Sequence, residues 1–317
     1  MGTLEKRLKM NKRCVVLGGC GFLGSVVTRY LVADGWTVRV FDKEGVDTWR
    51  LQSVEPHIEL MTGDFMNIAD LSRAINNMPT VLHFIGTTIL QSSMNDIQSD
   101  IETNVISTVR LLELMRECRG QRLVFASSGG TVYGIASHQS IMETDSTEPI
   151  ASYGVSKLAI EKYIRLFGYN YGLPHVILRL ANPYGESQSV DRPQGAVGIF
   201  LHKALKGEEI CIWGDGTVVR DFIYEADVAS ATIAVLTAEH LSGIYNVGSG
   251  VGTTLNELLD AIREVSGSPC KINYDTSRKF DVPCNILDIE KIKTDLGWSP
   301  SVTLTDGIRK MLSASSG

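Results

Sequence analysis

The feature that most constrains this chain is the run Gly18-Gly19-Cys20-Gly21-Phe22-Leu23-Gly24. It lies between an apolar stretch ending at Leu17 and an amphipathic stretch from Ser25 to Ala33. Residues without a Cβ let a backbone turn sharply from strand to helix and let another group approach that turn closely. A helix start also gathers unpaired N–H groups and the positive end of the peptide dipoles, so such a turn suits a phosphate. The next strand, Thr37 to Phe41, ends at Asp42. A carboxylate there accepts ribose hydroxyls and repels a 2′-phosphate. The pattern therefore fits a dinucleotide pyrophosphate over Gly18, Gly21 and Gly24, and favours NAD over NADP. Lys43 beside Asp42 softens that preference. Asp64, after the third strand, is placed either to receive the adenine amino group or to serve as a plain Gly-Asp turn carboxylate.

The same strand-then-helix rhythm runs on. Strands are expected at Cys14 to Leu17, Thr37 to Phe41, Ile58 to Met61, Val81 to Ile85, Leu123 to Ala126 and Val176 to Leu180. Helices are expected at Ser25 to Ala33, Val105 to Cys118 and Leu158 to Phe167. This alternation predicts an α/β fold whose parallel sheet is covered on both faces. After about residue 183 the rhythm changes. Pro183 to Gly198 reads as a long functional loop. A helix at Ile199 to Leu205, a strand at Ile210 to Trp213 and helices at Val228 to Ala238 and Leu255 to Ser266 follow. The expected division is a cofactor domain over 1–182, with the catalytic residues, and a smaller α/β substrate lobe over 183–317 with some segments returning to the sheet.

Composition excludes some partners. Thirty Lys+Arg against 36 Asp+Glu gives a net charge of −6, which argues against a nucleic-acid surface. No run of about 18 apolar residues is present, so no membrane span is expected. The basic N-terminus leads into a strand rather than a signal sequence. Six scattered cysteines without a CxxC pair read as reduced thiols of a cytoplasmic protein, and no metal is expected.

Tyr153 and Lys157 stand at i and i+4, on one helix face. A Lys⁺ beside a phenol favours the phenolate and makes Tyr153 a candidate base. The spacing alone better describes an exposed helix pair. With its surroundings it becomes specific: GGCGFLG (18–24), Asp42, Gly63-Asp64, HFIG (83–86), TNVIST (103–108), VFASSGGTVYG (124–134), YGVSK (153–157), RLANPYG (179–185), WGDGTVVRDFIY (213–224), YNVGSG (245–250), RKFDVP (278–283) and LGW (296–298) follow in order. Together they resemble the extended short-chain dehydrogenase/reductases, in particular the NAD-dependent nucleotide-sugar epimerase/dehydratase group, over nearly the whole chain.

The resemblance implies a Rossmann-type, doubly wound parallel sheet with a smaller C-terminal α/β lobe. It implies NAD as cofactor, contacted by Gly18, Gly21, Phe22, Leu23, Gly24, Asp42, Lys43, Asp64, Phe65, Phe84, Ile85, Gly86, Asn104 and Lys157. It implies Tyr153 and Lys157 as catalytic residues and a nucleotide-sugar substrate. The family places a Ser or Thr after the fifth strand to bond the sugar hydroxyl. Counted back from Tyr133, that place falls on Gly129. Ser128 is the first candidate, if the paired glycines let the loop bulge, and Thr131 the second. The diphosphate and nucleoside contacts map onto Asn182, Trp213, Arg220, Arg278 and Asp281. His83 maps onto a structural element on the cofactor side, and Tyr245 and Asn246 shape the lobe.

Dehydratases of the group carry Asp-Glu in the loop held here by Gly129-Gly130, decarboxylases a Glu, and GDP-sugar epimerase-reductases a Cys and a His. Without an acid there, the resemblance implies 4-epimerisation of a UDP-hexose or UDP-N-acetylhexosamine through transient oxidation at C4. A 4,6-dehydratase, a C4 reductase or a non-catalytic NAD-sensing module are the alternatives. Asn285, four residues after Asp281, maps onto a gatekeeper beside the sugar C2 substituent, and its small size implies room for N-acetyl groups. A homodimer through the helices around 105–118 and 153–168 is implied in the same way.

Overall fold

The computed structural model describes residues 12–88, 90–188, 195–276 and 282–315. Its centre is a seven-stranded parallel sheet. The strands are β1 (Arg13–Leu17), β2 (Thr37–Asp42), β3 (Ile58–Thr62), β4 (Thr80–His83), β5 (Arg122–Ser128), β7 (His175–Leu180) and β11 (Gly243–Val247). They lie in the order β11-β7-β5-β4-β1-β2-β3. The six strands expected from sequence are present. The seventh, β11, corrects the placement of Tyr245 and Asn246: they stand in the edge strand of the large sheet, not in the lobe.

Alternate residues of β1 explain the apolar runs. Cys14 and Val16 enter one core, Val15 and Leu17 the other. The first core is covered by α1 (Phe22–Ala33) and α8 (Glu225–Thr237), the second by α2 (Ile68–Ile75), α5 (Ser107–Glu117) and α6 (Ser152–Tyr171). Thus α8 and β11, both beyond residue 183, complete the sheet layer. Between β4 and α5 run two short helices, α3 (Leu90–Asn95) and α4 (Ile97–Asp100), and a wide π-type turn over Ile101–Ile106.

The sheet order reverses on either side of β1, since β2 and β4 are its neighbours. Both following connections leave from the carboxyl edge there and open a crevice, the place where ligands bind in such folds. Over that edge sits a third core, formed by α7 (Ala196–Lys206), α9 (Leu255–Ser266), α11 (Leu304–Ser315) and β9 (Glu209–Trp213). A smaller sheet joins it to the site through β8 (Asn182–Tyr184), β10 (Val219–Tyr224) and β14 (Cys284–Leu287). No helix among the described residues is long and apolar enough to cross a membrane.

Candidate active site

The glycine turn is as close-packed as its sequence demands. Gly18 takes φ +81°, and its N–H donates to Phe41 O at 2.8 Å. A Cβ on Gly24 would lie 2.1 Å from Gly18 O, and one on Gly18 would lie 2.9 Å from Ile85 N. Gly21 is exposed at the start of α1, and no side chain caps that helix. The first-turn amides, those of Phe22 and Leu23 included, are thus offered to an anion. Asp42 accepts from the amides of Cys20 and Lys43, each at 2.9 Å. It ties the end of β2 to the turn and keeps lone pairs for further donors. Lys43 itself is exposed. Asp64 accepts from the Met66 amide at 2.9 Å, the turn role that its sequence left open.

The other wall of the crevice is the segment after β4. Phe84 and Ile85 are half-buried and Gly86 is exposed. Asn104 holds this segment: its Oδ1 accepts from Thr87 N at 3.1 Å and its Nδ2 donates to Thr87 Oγ1 at 2.8 Å. Phe65 packs on the His83 ring, centroids 5.1 Å apart. Thr108 Oγ1 donates to Asn104 O at 2.6 Å, so the 2.9 Å bond to His83 Nε2 has the imidazole as donor. Burial pushes that imidazole down to about 3, and it stays neutral.

Helix α6 begins at Ser152, earlier than the apolar periodicity predicts. Its cap comes from another element: Ser93 Oγ accepts from Tyr153 N at 3.1 Å and Met94 Sδ from Ser152 N at 3.4 Å. Tyr153 therefore sits in the first turn, with Lys157 one turn on. The Lys157 ammonium donates to Ala126 O at 2.9 Å and lies 5.8 Å from the Tyr153 ring centroid. Burial draws it down to about 8, against the upward pull of Glu161 and Asp100. The Tyr153 phenol moves the opposite way in the chain alone. Burial, and then the charge of Asp100, raise it to about 12. The lysine's hydrogen bond goes to the strand carbonyl of Ala126.

The loop after β5 bulges at the paired glycines. The amides of Gly129 and Gly130 both donate to Leu180 O, at 2.7 and 3.3 Å. A Cβ on Gly129 would lie 2.6 Å from Leu287 Cδ1 and 3.1 Å from Arg179 O, so a side chain there requires its neighbours to shift. At Gly130 it would meet Asn182 Oδ1 at 3.6 Å and Ser128 Oγ at 3.9 Å, ordinary contacts. Ser128 is half-buried at the end of β5. Thr131 Oγ1 is buried without a partner among the described residues. Behind the loop, Glu161 and Arg179 form a buried ion pair at 2.7 Å, and Ser127 Oγ donates to Glu161 at 2.5 Å.

On the lobe side, Asn182 Nδ2 donates to Asp221 O at 3.0 Å. Arg220 Nη1 donates to Val219 O at 2.9 Å and to Val282 O at 2.7 Å. Trp213 is 40% exposed at the end of β9. Arg278 and Asp281 lie outside the described residues. Asn285 differs from its expected gatekeeper role. It is 1% exposed, and its Nδ2 donates to Gly129 O at 3.0 Å, so it braces the loop from behind. Asn246 also gains a role: it accepts from Tyr133 OH at 2.7 Å and donates to Ile141 O at 2.8 Å. Sequence reasoning passed over Asp100 altogether, although its i, i+4 spacing with Asn104 was visible.

The sequence profile described as the NAD dependent epimerase/dehydratase family matches residues 14–248. The chain belongs to this family. Its members use NAD, and the cradle at Gly18, Gly24 and the start of α1 fits that cofactor. A Methanocaldococcus jannaschii protein, provisionally described as a UDP-glucose 4-epimerase, is 35% identical over 300 residues, 94% of this chain and 96% of that relative. An Escherichia coli dTDP-4-dehydro-6-deoxyglucose reductase is 32% identical, covering 94% of this chain and 96% of its own length. The Thermotoga maritima UDP-glucose 4-epimerase, solved with UDP-glucose, superposes with a TM-score of 0.90 at 32% identity, over 96% of this chain and 98% of that one.

Proposed function

We propose that this family member interconverts UDP-hexoses, or their N-acetyl forms, by inverting C4 through a transient 4-keto sugar. The observation that carries this reading is the state of the carboxylates around the site. Asp100, Glu161 and Asp221 are all buried, and each is engaged by hydrogen bonds or an ion pair. The loop at Gly129-Gly130 supplies none. Tyr153, Lys157 and Ser128 supply a phenol, an amine and a hydroxyl instead. That set suits taking a proton from a carbinol and returning it, whereas expelling water needs a free acid.

NAD⁺ bound over the glycine turn supplies a hydride acceptor that becomes the donor for the return step. Tyr153 takes the C4 hydroxyl proton and later gives it back. Its phenol, raised to about 12 in the chain alone, is a strong base once deprotonated and needs nearby positive charge to reach that state. Lys157, held on Ala126 O, provides part of it and bonds the nicotinamide ribose. Ser128 Oγ, at the bulge, aligns the C4 oxygen and stabilises the charge that develops on it. Gly18, Gly21, Phe22, Leu23, Gly24, Asp42, Lys43, Phe65, Phe84, Ile85, Gly86 and Asn104 form the cofactor wall. Asn182, Arg220, Trp213, Arg278 and Asp281 anchor the nucleoside diphosphate while the sugar turns. Exposed apolar side chains at Ile97, Ile101, Val155, Tyr163 and Leu166 support pairing of two copies, centred on α4 and α6 more than on α5.

The test is incubation with UDP-glucose, UDP-GlcNAc and UDP-glucuronic acid without added reductant, products resolved by chromatography and mass. A C4-inverted product of unchanged mass supports the reading. Loss of water or carbon dioxide contradicts it.

A further inference from the structure

We infer that Asp100 is a positioning residue that fixes the Tyr153–Lys157 pair against the cofactor-side segment. The inference rests on the catalytic reading of that pair. Asp100 ends α4 and is fully buried. Its Oδ1 accepts from Asn104 Nδ2 at 3.0 Å and from Thr88 Oγ1. Its Oδ2 accepts from Ser156 Oγ at 2.6 Å and from Ser152 Oγ at 3.1 Å. No ion pair reaches it among the described residues. Four short donors therefore compensate its desolvation, and they come from three separate elements.

The placement of those donors gives the role. Ser152 and Ser156 each precede a member of the proposed catalytic pair by one residue, repeating its four-residue spacing one position earlier on α6. Thr88 belongs to the segment after β4, which Asn104 also holds. The wide turn over Ile101–Ile106 lets Asp100 and Asn104 reach this segment together. One carboxylate thus links the wall of the cofactor crevice to the first turn of the catalytic helix. Shifting α6 against that wall requires breaking bonds to one oxygen or the other. Asn keeps a single acceptor oxygen and brings two N–H groups toward donors. Asp100→Asn therefore loosens the link with little change in volume.

The test is a double-mutant cycle of Asp100→Asn and Ser156→Ala, read in steady-state kcat and KM for UDP-glucose, in sugar-nucleotide affinity by calorimetry, and in NAD retained on purification. Ser156→Ala is expected to lower kcat about tenfold and Asp100→Asn more, with the double variant no worse than Asp100→Asn alone. KM, affinity and retained NAD stay within about twofold, because the link sets geometry rather than uniform binding. Unchanged kcat in both single variants overturns the inference. So do multiplying effects, or a loss confined to KM or NAD retention. If Asp100→Asn fails to fold, Ser152→Ala with Ser156→Ala takes its place under the same criteria. Tyr153→Phe separates the two levels. An inactive Tyr153→Phe beside full-rate Asp100 and Ser156 variants overturns this inference alone. An active Tyr153→Phe overturns the catalytic reading and this inference with it.

Discussion

The two walls of the crevice are built on different principles. The cofactor wall at β1 is made of backbone: Gly18, Gly21 and Gly24 act through the side chains they lack, and one short-range partner, Asp42, ties the turn to the next strand. The wall proposed to carry catalysis, called the catalytic wall below, is made of side chains held from afar. Tyr153 is capped by Ser93, Lys157 by a carbonyl of β5, and the Ser128 loop is braced by Asn285 across more than 150 residues of chain. A backbone site tolerates almost no added atom. A site of side chains tolerates shape changes better but depends on buried polar partners staying paired.

That contrast can be broken or sharpened by substitution. The largest expected effect is on the catalytic wall. Tyr153→Phe should cut kcat by about 10²–10⁴-fold while leaving retained NAD unchanged, since it removes a proton donor and acceptor and no cofactor cradle. Kinetics and the absorbance of extracted cofactor check both halves. Next is the buried ion pair behind that wall. Arg179→Met strands Glu161 and should cost about 3–5 kcal/mol in urea unfolding, with part recovered when Glu161→Leu is added. On the cofactor wall, Gly24→Ala drives a Cβ toward the Gly18 carbonyl oxygen and should cost about 3 kcal/mol, with loss of bound NAD. Gly86→Ala meets no protein atom within 4 Å and should leave the unfolding free energy unchanged. Equal tolerance at both glycines would end the comparison.

The smallest effect is pH-dependent. His83 titrates near 3 in the folded chain and near 6.5 when unfolded. Between those values only the unfolded chain takes up the proton, so stability falls as pH drops below 6.5. Between about pH 7 and pH 5 this group should remove about 2 kcal/mol, a loss absent from His83→Leu. Denaturation of both proteins at the two pH values checks the slope.

The cofactor wall was legible in the sequence because its elements are adjacent in the chain: strand, glycines, helix and the acid ending the next strand. Asp64 accepts the turn bond from the Met66 amide and keeps lone pairs for a further donor. The catalytic wall was legible only in part. Tyr153 and Lys157 share a helix face and so share a signal, but the phenol's raised pKa comes first from burial and then from Asp100, which a different helix brings in. The start of α6 was hidden because its cap lies on α3. Gly129 reads as a missing hydroxyl until Leu287, from a distant strand, is seen to fill the space. Asn285 reads as a gate and is instead a brace, because spacing from Asp281 carries no information about which surface the side chain meets. Tyr245 and Asn246 read as lobe residues because a short strand following the loop-rich segment gives no sign that it rejoins the first sheet.

The central claim is that the C4 hydride leaves and returns within one active site. Its most direct test is conversion of UDP-glucose deuterated at C4, in ordinary water and without added nicotinamide cofactor. The account predicts UDP-galactose of unchanged mass with the deuterium still on C4. Deuterium lost to solvent, or a product lighter by one water, would contradict it.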